Sequence, residues 1–349
     1  MATAALADRA IVVGVGRYPT LGPKSTPRDL KGPQVDAGEM ADWLHRNGAH
    51  VTKITSSGDG DQQWDVEDLR PEFSDVERPL NKLVRDAEAL RDEGRPVALG
   101  RRLTIYMAGH GFAPSHKHLA LITAEASSGL TFSLQATAWV DWFSDQTHFD
   151  EIVCWMDCCT IADFAQTSRV PIGAPRHRRA HGMAKLLTIY AAPPDQFAYE
   201  RPDENGVVRG VFTRELLKAL NGAAADEDGQ VTTSSLKSYF QGSGLTGTAA
   251  STESSAERPK PYFRDDDEIV LAEIVLAEGE LDRISIHSGL PEGTAMKIQR
   301  DGKATVFDGI AGPDGVIQIP LTTGIYALRA GPVTKLFEIG AGSTSDVRL

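Results

Sequence analysis

Two short segments carry residue types that a buried strand does not need. YMAGHGFAP, residues 106–114, puts a lone histidine, His110, just past one apolar run. VCWMDCCTIADF, residues 153–164, puts Cys158 and Cys159 just past another. A free thiol has a pKa of about 8.5 and is only slightly ionised at neutral pH, so a cysteine nucleophile needs a base. A neighbouring imidazole takes the thiol proton during attack and later returns it to a leaving amine. Attack on a carbonyl creates an oxyanion, which needs backbone N–H donors, and the amides of Gly111 and Cys159 are the natural ones. Each residue alone has a plainer reading. A half-buried histidine often serves one structural hydrogen bond, and a cysteine in mid-strand, as we read Cys154, is core. Thiol chemistry requires the pair.

For the two to meet, the elements that carry them must be neighbours. RAIVVGVG (residues 9–16), VTKIT (51–55), RLTIYMA (102–108), EIVCWMD (151–157) and KLLTIYAA (185–192) read as strands, the β-branched and apolar runs of a sheet buried on both faces. Helical spacing links Ala37, Met40, Ala41 and Leu44, with a stop at Gly48, and again Leu80, Leu83, Val84 and Ala87. TAWVDWFS reads as a short helix, and FTRELLKALNG as another with Thr213 near its start. Alternating strands and helices predict an α/β domain with a mostly parallel sheet, whose ligands bind beyond the carboxyl ends of the strands. If the third and fourth strands are adjacent, His110 and Cys159 face one another there.

Residues 241–261 are small and polar and read as a loop or linker. Beyond about residue 265 the pattern becomes short strand-like pieces with turns at Asp301-Gly302 and Asp314-Gly315. We expect a domain at 1–264 and a small all-β sandwich at 266–349, with FRDDDE (263–268) a charged junction between them.

A chain of 349 residues, 41% hydrophobic and 24% charged, suits two globular domains. Its net charge of −12 argues against a nucleic-acid partner. All three cysteines lie within six residues, which gives no disulfide framework and points to a reducing compartment. MATAALADRA has no long apolar core and is not read as a signal peptide, and no run reaches the roughly 18 apolar residues of a bilayer span. We expect a cytoplasmic protein that engages no membrane.

YMAGHG together with DCCTIADF resembles the caspase and metacaspase clan of cysteine peptidases, histidine first, with 49 residues from His110 to Cys159. AIVVGVGRYP is similar to that clan's first strand, LKGPQVDAGEMADWL to a metacaspase segment, and LLTIYAAPPDQFAYE with GVFTRELLKAL to the last core strand and its helix. The resemblance spans roughly residues 9–264. It implies a caspase-like three-layer α/β sandwich and an endopeptidase with His110 as general base and Cys159 as nucleophile. Metacaspases often read Asp-Ser-Cys-His-Ser-Gly at the nucleophile. Asp157, Cys158 and Cys159 fill the first three places, which selects Cys159, and Thr160, Ile161 and Ala162 replace the rest.

The same resemblance assigns Asp36 to the acidic S1 pocket of metacaspases and puts Asp195 near a second such position. Two partly dehydrated carboxylates favour arginine or lysine at P1. Alternatively, Asp36 merely starts a helix. The loop SRVPIGAPRHRRAHG (168–182) holds Arg169, Arg176, Arg178 and Arg179 where caspases are processed. It reads as a site of cleavage by the protein itself or by an activating protease, and equally as a solvated loop or a patch for an acidic partner. We expect protein or peptide substrates, a regulatory partner, and a place among bacterial stress or defence effectors that such proteins resemble. We expect no metal and no cofactor. His110, His116 and His118 lack the spacing of a zinc site, and SSGDGDQQWDVED (56–68) lacks that of a calcium hand, though calcium-dependent metacaspases leave a calcium role in view. A scaffold that binds partners without cutting is the alternative, and the separase branch is a further relative within the clan.

Overall fold

Apolar, β-branched segments with no polar face must be covered on both sides, and five of them make the centre of this protein. The computed structural model describes residues 7–23, 28–56, 69–115, 117–161, 168–171, 182–203, 205–226, 228–241, 259–273, 283–300, 304–321, 324–339 and 346–348. Its central strands are β1 (Arg9–Gly14), β2 (His50–Thr55), β3 (Arg102–Ala108), β4 (Glu151–Asp157), β5 (Lys185–Tyr190) and β6 (Tyr262–Asp266). They form one sheet in the order β6-β5-β4-β3-β1-β2. All neighbours in it are parallel except β6, which runs antiparallel along β5. Helices α1 (Gly32–Arg46), α2 (Phe73–Asp92), α3 (Ala136–Ser144) and α4 (Val211–Lys218) accompany it. This is the expected caspase-like α/β architecture.

The third and fourth strands are neighbours, as the site requires. Every residue of β3 is buried, and six of the seven in β4. Val76, Leu80, Leu83 and Ala87 of α2 share one apolar cluster with Trp139, Val140 and Phe143 of α3 and with Leu103, Ile105, Ile152 and Cys154 of the sheet. Cys154 is therefore core, as its place in mid-strand indicated.

One segment differs from its sequence reading. Residues 263–266, expected as a charged junction, lie within the edge strand of the central sheet. An edge strand shows one side to water and tolerates charge. Here the charges also bind: Arg264 pairs with Asp141 of α3 at 2.6 Å, and Asp267, just past the strand, accepts the Leu186 N–H through Oδ2 at 2.8 Å. This pairing joins residues far apart in sequence, so no local pattern announces it.

The chain divides into two units, Met1–Glu215 with Pro259–Ile269, and Leu216–Arg258 with Val270–Leu349. The second begins earlier than residue 266 because Gln230–Thr232 pairs antiparallel with Val270–Glu273. Its C-terminal part has two sheets. One orders Val316–Pro320, Arg283–His287 and Asp346–Arg348, and the other Ala304–Ile310, Ala295–Arg300, Gly324–Ala330 and Val333–Ile339. Ile286, Ile317 and Ile319 of the first share one core with Met296, Ile298, Tyr326 and Leu328 of the second. Two sheets over a common core make the expected β-sandwich.

Candidate active site

The register of the central sheet brings the two chemical segments together. Ala108, the last residue of β3, lies opposite Asp157, the last of β4, and the Gly109 N–H reaches the Asp157 carbonyl at 3.2 Å. His110 and Cys159 are each two residues beyond that matched pair. Gly111 closes the space between their segments: a Cβ added there would stand 2.6 Å from Cys158 Cβ and 3.2 Å from the Cys159 carbonyl oxygen. Gly111→Ala therefore forces the segments apart. We expect a loss of about 1–3 kcal/mol in stability from this overpacking, read by denaturant melts, together with a fall in activity.

His110 and Cys159 line one cavity of about 240 Å³. The vicinal cysteines diverge. Cys158 is fully buried, with its Sγ 3.7 Å from the Met107 carbonyl, and burial pushes its thiol well above the usual range. Cys159 is half-buried and open to the cavity. Its Sγ lies 3.9 Å from the Ala198 carbonyl, and partial burial raises its pKa although that contact opposes the rise.

The imidazole is fixed from two sides. His110 Nε2 lies 2.7 Å from the Arg28 carbonyl, which only accepts, so Nε2 carries the proton and Nδ1 is the basic nitrogen. Burial lowers the His110 pKa, partly offset by that bond, and keeps the ring neutral. The resting pair is thus an uncharged thiol and an uncharged imidazole. The second fixture is Tyr18, fully buried, whose ring packs 4.6 Å from the His110 ring. Its hydroxyl accepts the His110 N–H at 2.8 Å and donates to the Ile122 carbonyl at 3.2 Å. It stands where a strand pair would bond directly. The Ile122 N–H completes that pair by donating to the His110 carbonyl at 2.9 Å. The next pair, Gly111 and Leu121, is therefore a non-bonded one, and the Gly111 amide faces away from that partner strand.

Three carboxylates line the same cavity: Asp36, Asp157 and Glu200. Asp36, in α1, is 1% exposed. It accepts the Gly210 N–H at 2.7 Å and the Arg209 Nε–H at 3.2 Å. Burial, helped by the nearby Asp157, pushes its pKa up to about 8. Asp157 accepts from the Thr213 hydroxyl at 2.6 Å and the Thr213 N–H at 3.2 Å. Burial raises it to about 6 against those bonds. The Tyr106 hydroxyl donates to Thr213 Oγ1 at 2.7 Å, since Thr213 gives its own hydrogen to Asp157. Glu200 accepts the Gly32 and Lys31 N–H groups at 2.8 and 3.0 Å, across the start of α1. Gly210 lies between the first two acids: a Cβ on it would collide with Asp157 Oδ2 and lie 3.0 Å from Asp36 Oδ2.

A family model described as caspase domain matches residues 7–250. The chain belongs to the caspase-domain family, a family of cysteine peptidases that act on protein substrates. Among solved structures it is similar to caspase-1 from Spodoptera frugiperda, at 12% identity and a TM-score of 0.44, covering 78% of this chain and 92% of that one. It is also similar to protein GSU0716 from Geobacter sulfurreducens, at 12% identity and a TM-score of 0.42, covering 73% and 92%. No curated protein sequence matches it.

In this caspase-domain chain the structure gathers His110, Gly111, Cys159 and Asp36 around the sheet end. Asp195, expected as the pocket's second acid, is exposed and outside the cavity lining. Its left-handed backbone (φ 59°) turns the chain there, and its N–H is bound to the Thr160 carbonyl at 3.1 Å. Asp157 and Glu200 stand at the cavity instead. Asp157 was visible in the motif Asp-Cys-Cys, where it read only as a motif position. Glu200 lies five residues past Asp195, within the quoted segment, and nothing local marked it. Arg176, Arg178, Arg179 and all of segment 56–68 but Ser56 lie outside the described residues. Among the described residues no group of three or more His, Cys, Asp or Glu side chains is arranged to hold a metal, and no helix is long and apolar enough to cross a membrane.

Tyr18 and Arg28 escaped the sequence reading because one acts through a hydroxyl and the other through a main-chain carbonyl. Tyr18→Phe removes the hydroxyl and leaves the His110 N–H and Ile122 carbonyl unpaired in a buried place, at about 1–3 kcal/mol. We expect kcat to fall about tenfold or more while KM for peptides stays near wild type, since the change displaces the base and not the pocket. Steady-state kinetics on one arginyl peptide checks it.

Proposed function

We propose that this protein is a cysteine endopeptidase that cleaves proteins after arginine or lysine. One observation carries the reading: a thiol and a neutral imidazole, each two residues past a matched strand pair, share a cavity with three carboxylates. A P1 guanidinium is the natural occupant for such acids, because planar donors meet carboxylates two at a time.

The chemistry runs through groups already in place. As Cys159 Sγ attacks the scissile carbonyl, its proton moves to His110 Nδ1, the C–S bond forms, and the carbonyl electrons shift to oxygen. The amides of Gly111 and Cys159 hold that oxyanion. On collapse the C–N bond breaks, and His110 gives its proton to the leaving amine. Water then attacks the thioester, His110 takes its proton, and the thiol returns. A free nucleophilic thiol and the lack of a disulfide framework support reading the protein as cytoplasmic.

Activation by cleavage at Arg176, Arg178 or Arg179 belongs to the same proposal, since a basic loop is the enzyme's own preferred sequence. Intact mass of wild type against Cys159→Ala separates self-cleavage from cleavage by another protease. A positional-scanning peptide library, run with and without calcium, tests the specificity. We expect arginine, then lysine, at P1, with no calcium requirement. A preference for aspartate would refute the pocket.

A further inference from the structure

Thr160 stands where the metacaspase motif has histidine, directly after the nucleophile. It is 2% exposed and surrounded by loop 193–196. Its N–H donates to the Gln196 carbonyl at 3.0 Å, and its carbonyl accepts the Asp195 N–H at 3.1 Å. Its hydroxyl donates to the Pro193 carbonyl and accepts the Gln196 N–H at 3.2 Å. A hydroxyl has one proton to give and lone pairs to accept with, so both roles are filled. The residues that follow this loop, Phe197 to Glu200, form a wall of the cavity, and Ala198 presents its carbonyl to Cys159 Sγ.

We propose that Thr160 is the positioning residue that ties the substrate wall to the nucleophile. Its main chain continues directly from Cys159, and its side chain and backbone together hold loop 193–196. The distance between the attacking sulfur and the wall that seats the substrate is thus set within one residue. A valine has the same shape and neither donor nor acceptor. It removes both side-chain bonds and leaves the Pro193 carbonyl and the Gln196 N–H only their 3.2 Å bond to one another, so the loop is held to residue 160 by main chain alone and loosens. Serine keeps the hydroxyl and restores the clamp.

The inference rests on the peptidase reading, so its test has one readout that needs no turnover. In Thr160→Val we expect kcat/KM for an arginyl peptide to fall about 30-fold, mostly through KM, as a displacement of about 1 Å in a positioning group does. The rate of Cys159 alkylation by iodoacetamide, which needs no wall, stays within about twofold, and amide exchange across residues 195–200 speeds up at least tenfold. Thr160→Ser recovers wild-type kinetics within about threefold. The idea falls if the valine variant cleaves as wild type does, if serine loses as much as valine, or if alkylation drops in parallel with cleavage. If valine prevents folding, Thr160→Ala read by the same ratio decides. If wild type and Cys159→Ala are equally inert, the peptidase reading fails. The clamp then stands or falls on the exchange of residues 195–200 alone.

Discussion

Cys159→Ala lowers kcat/KM for an arginyl peptide by at least about a thousandfold, and Cys158→Ala leaves it within about threefold. Adjacent cysteines in one motif invite the opposite assignment, or a shared role. The structure separates them by environment. Cys158 continues the burial of its strand, and its thiol is held protonated by desolvation. A sulfur with no access to solvent or substrate attacks nothing. Its replacement costs packing, about 1–2 kcal/mol for a small buried side chain, so a lowered Tm with intact kinetics is its signature. His110→Ala should match Cys159→Ala within about tenfold, because the proposed mechanism makes the two one unit and single losses in such units are far from additive.

The same experiment probes the resting state. Burial raises the Cys159 thiol and lowers the His110 imidazole, so the free protein holds the neutral pair, and in the proposed mechanism the ion pair forms only as substrate is attacked. Alkylation of Cys159 by iodoacetamide should therefore rise steadily from pH 6 to pH 9. A plateau already reached at pH 6 would show a preformed thiolate and overturn the neutral pair, though not the choice of nucleophile.

How much of this was legible beforehand follows from which forces are local. β3 and β4 read from their apolar runs to the residue, since a doubly buried strand has nothing else to be. Their adjacency did not follow from either run and stood as a condition, which the strand order meets, and His110 and Cys159 line one cavity as a result. The edge strand Tyr262–Asp266 did not read, because its Arg264 and the adjoining Asp267 are explained by Asp141 and Leu186, far away in sequence. Tyr18 and Thr160 were invisible for a related reason. Each acts through one hydroxyl on main-chain groups brought near only by folding. Asp195 misled because an acid near the right position looks the same whether it turns into a cavity or out to solvent. The left-handed turn that decides the matter carries no glycine to betray it.

Acid should disable the proposed cleavage through the carboxylates of the cavity before it does so through the proposed dyad. Asp36 and Asp157 hold protons up to about pH 8 and about pH 6 in the free protein, because a buried carboxylate is poorly solvated. At pH 5 both are neutral and offer a P1 cation no charge. Between pH 5 and pH 8 we expect affinity of the inert Cys159→Ala protein for an arginyl peptide to tighten on the order of 100-fold, with protons released on binding. Calorimetry in buffers of different ionisation enthalpy reads both quantities without any chemical step. Stability moves the other way. Asp36 binds its proton up to about 8 when folded, against 3.8 for an ordinary aspartate. The folded state therefore holds more protons across that window, and unliganded stability, full below pH 4, is lost as pH rises through 8. Asp36→Asn keeps a carbonyl for the Gly210 N–H and removes the titration. It should flatten the stability curve, melt higher than wild type at pH 9, and cut kcat/KM for arginyl substrates about 100-fold. Asp36 already pairs with Arg209 Nε at 3.2 Å, and its place in the cavity lining beside that pair is the reason to expect a P1 cation there as well. Peptide affinity constant from pH 5 to pH 8 would remove that reason.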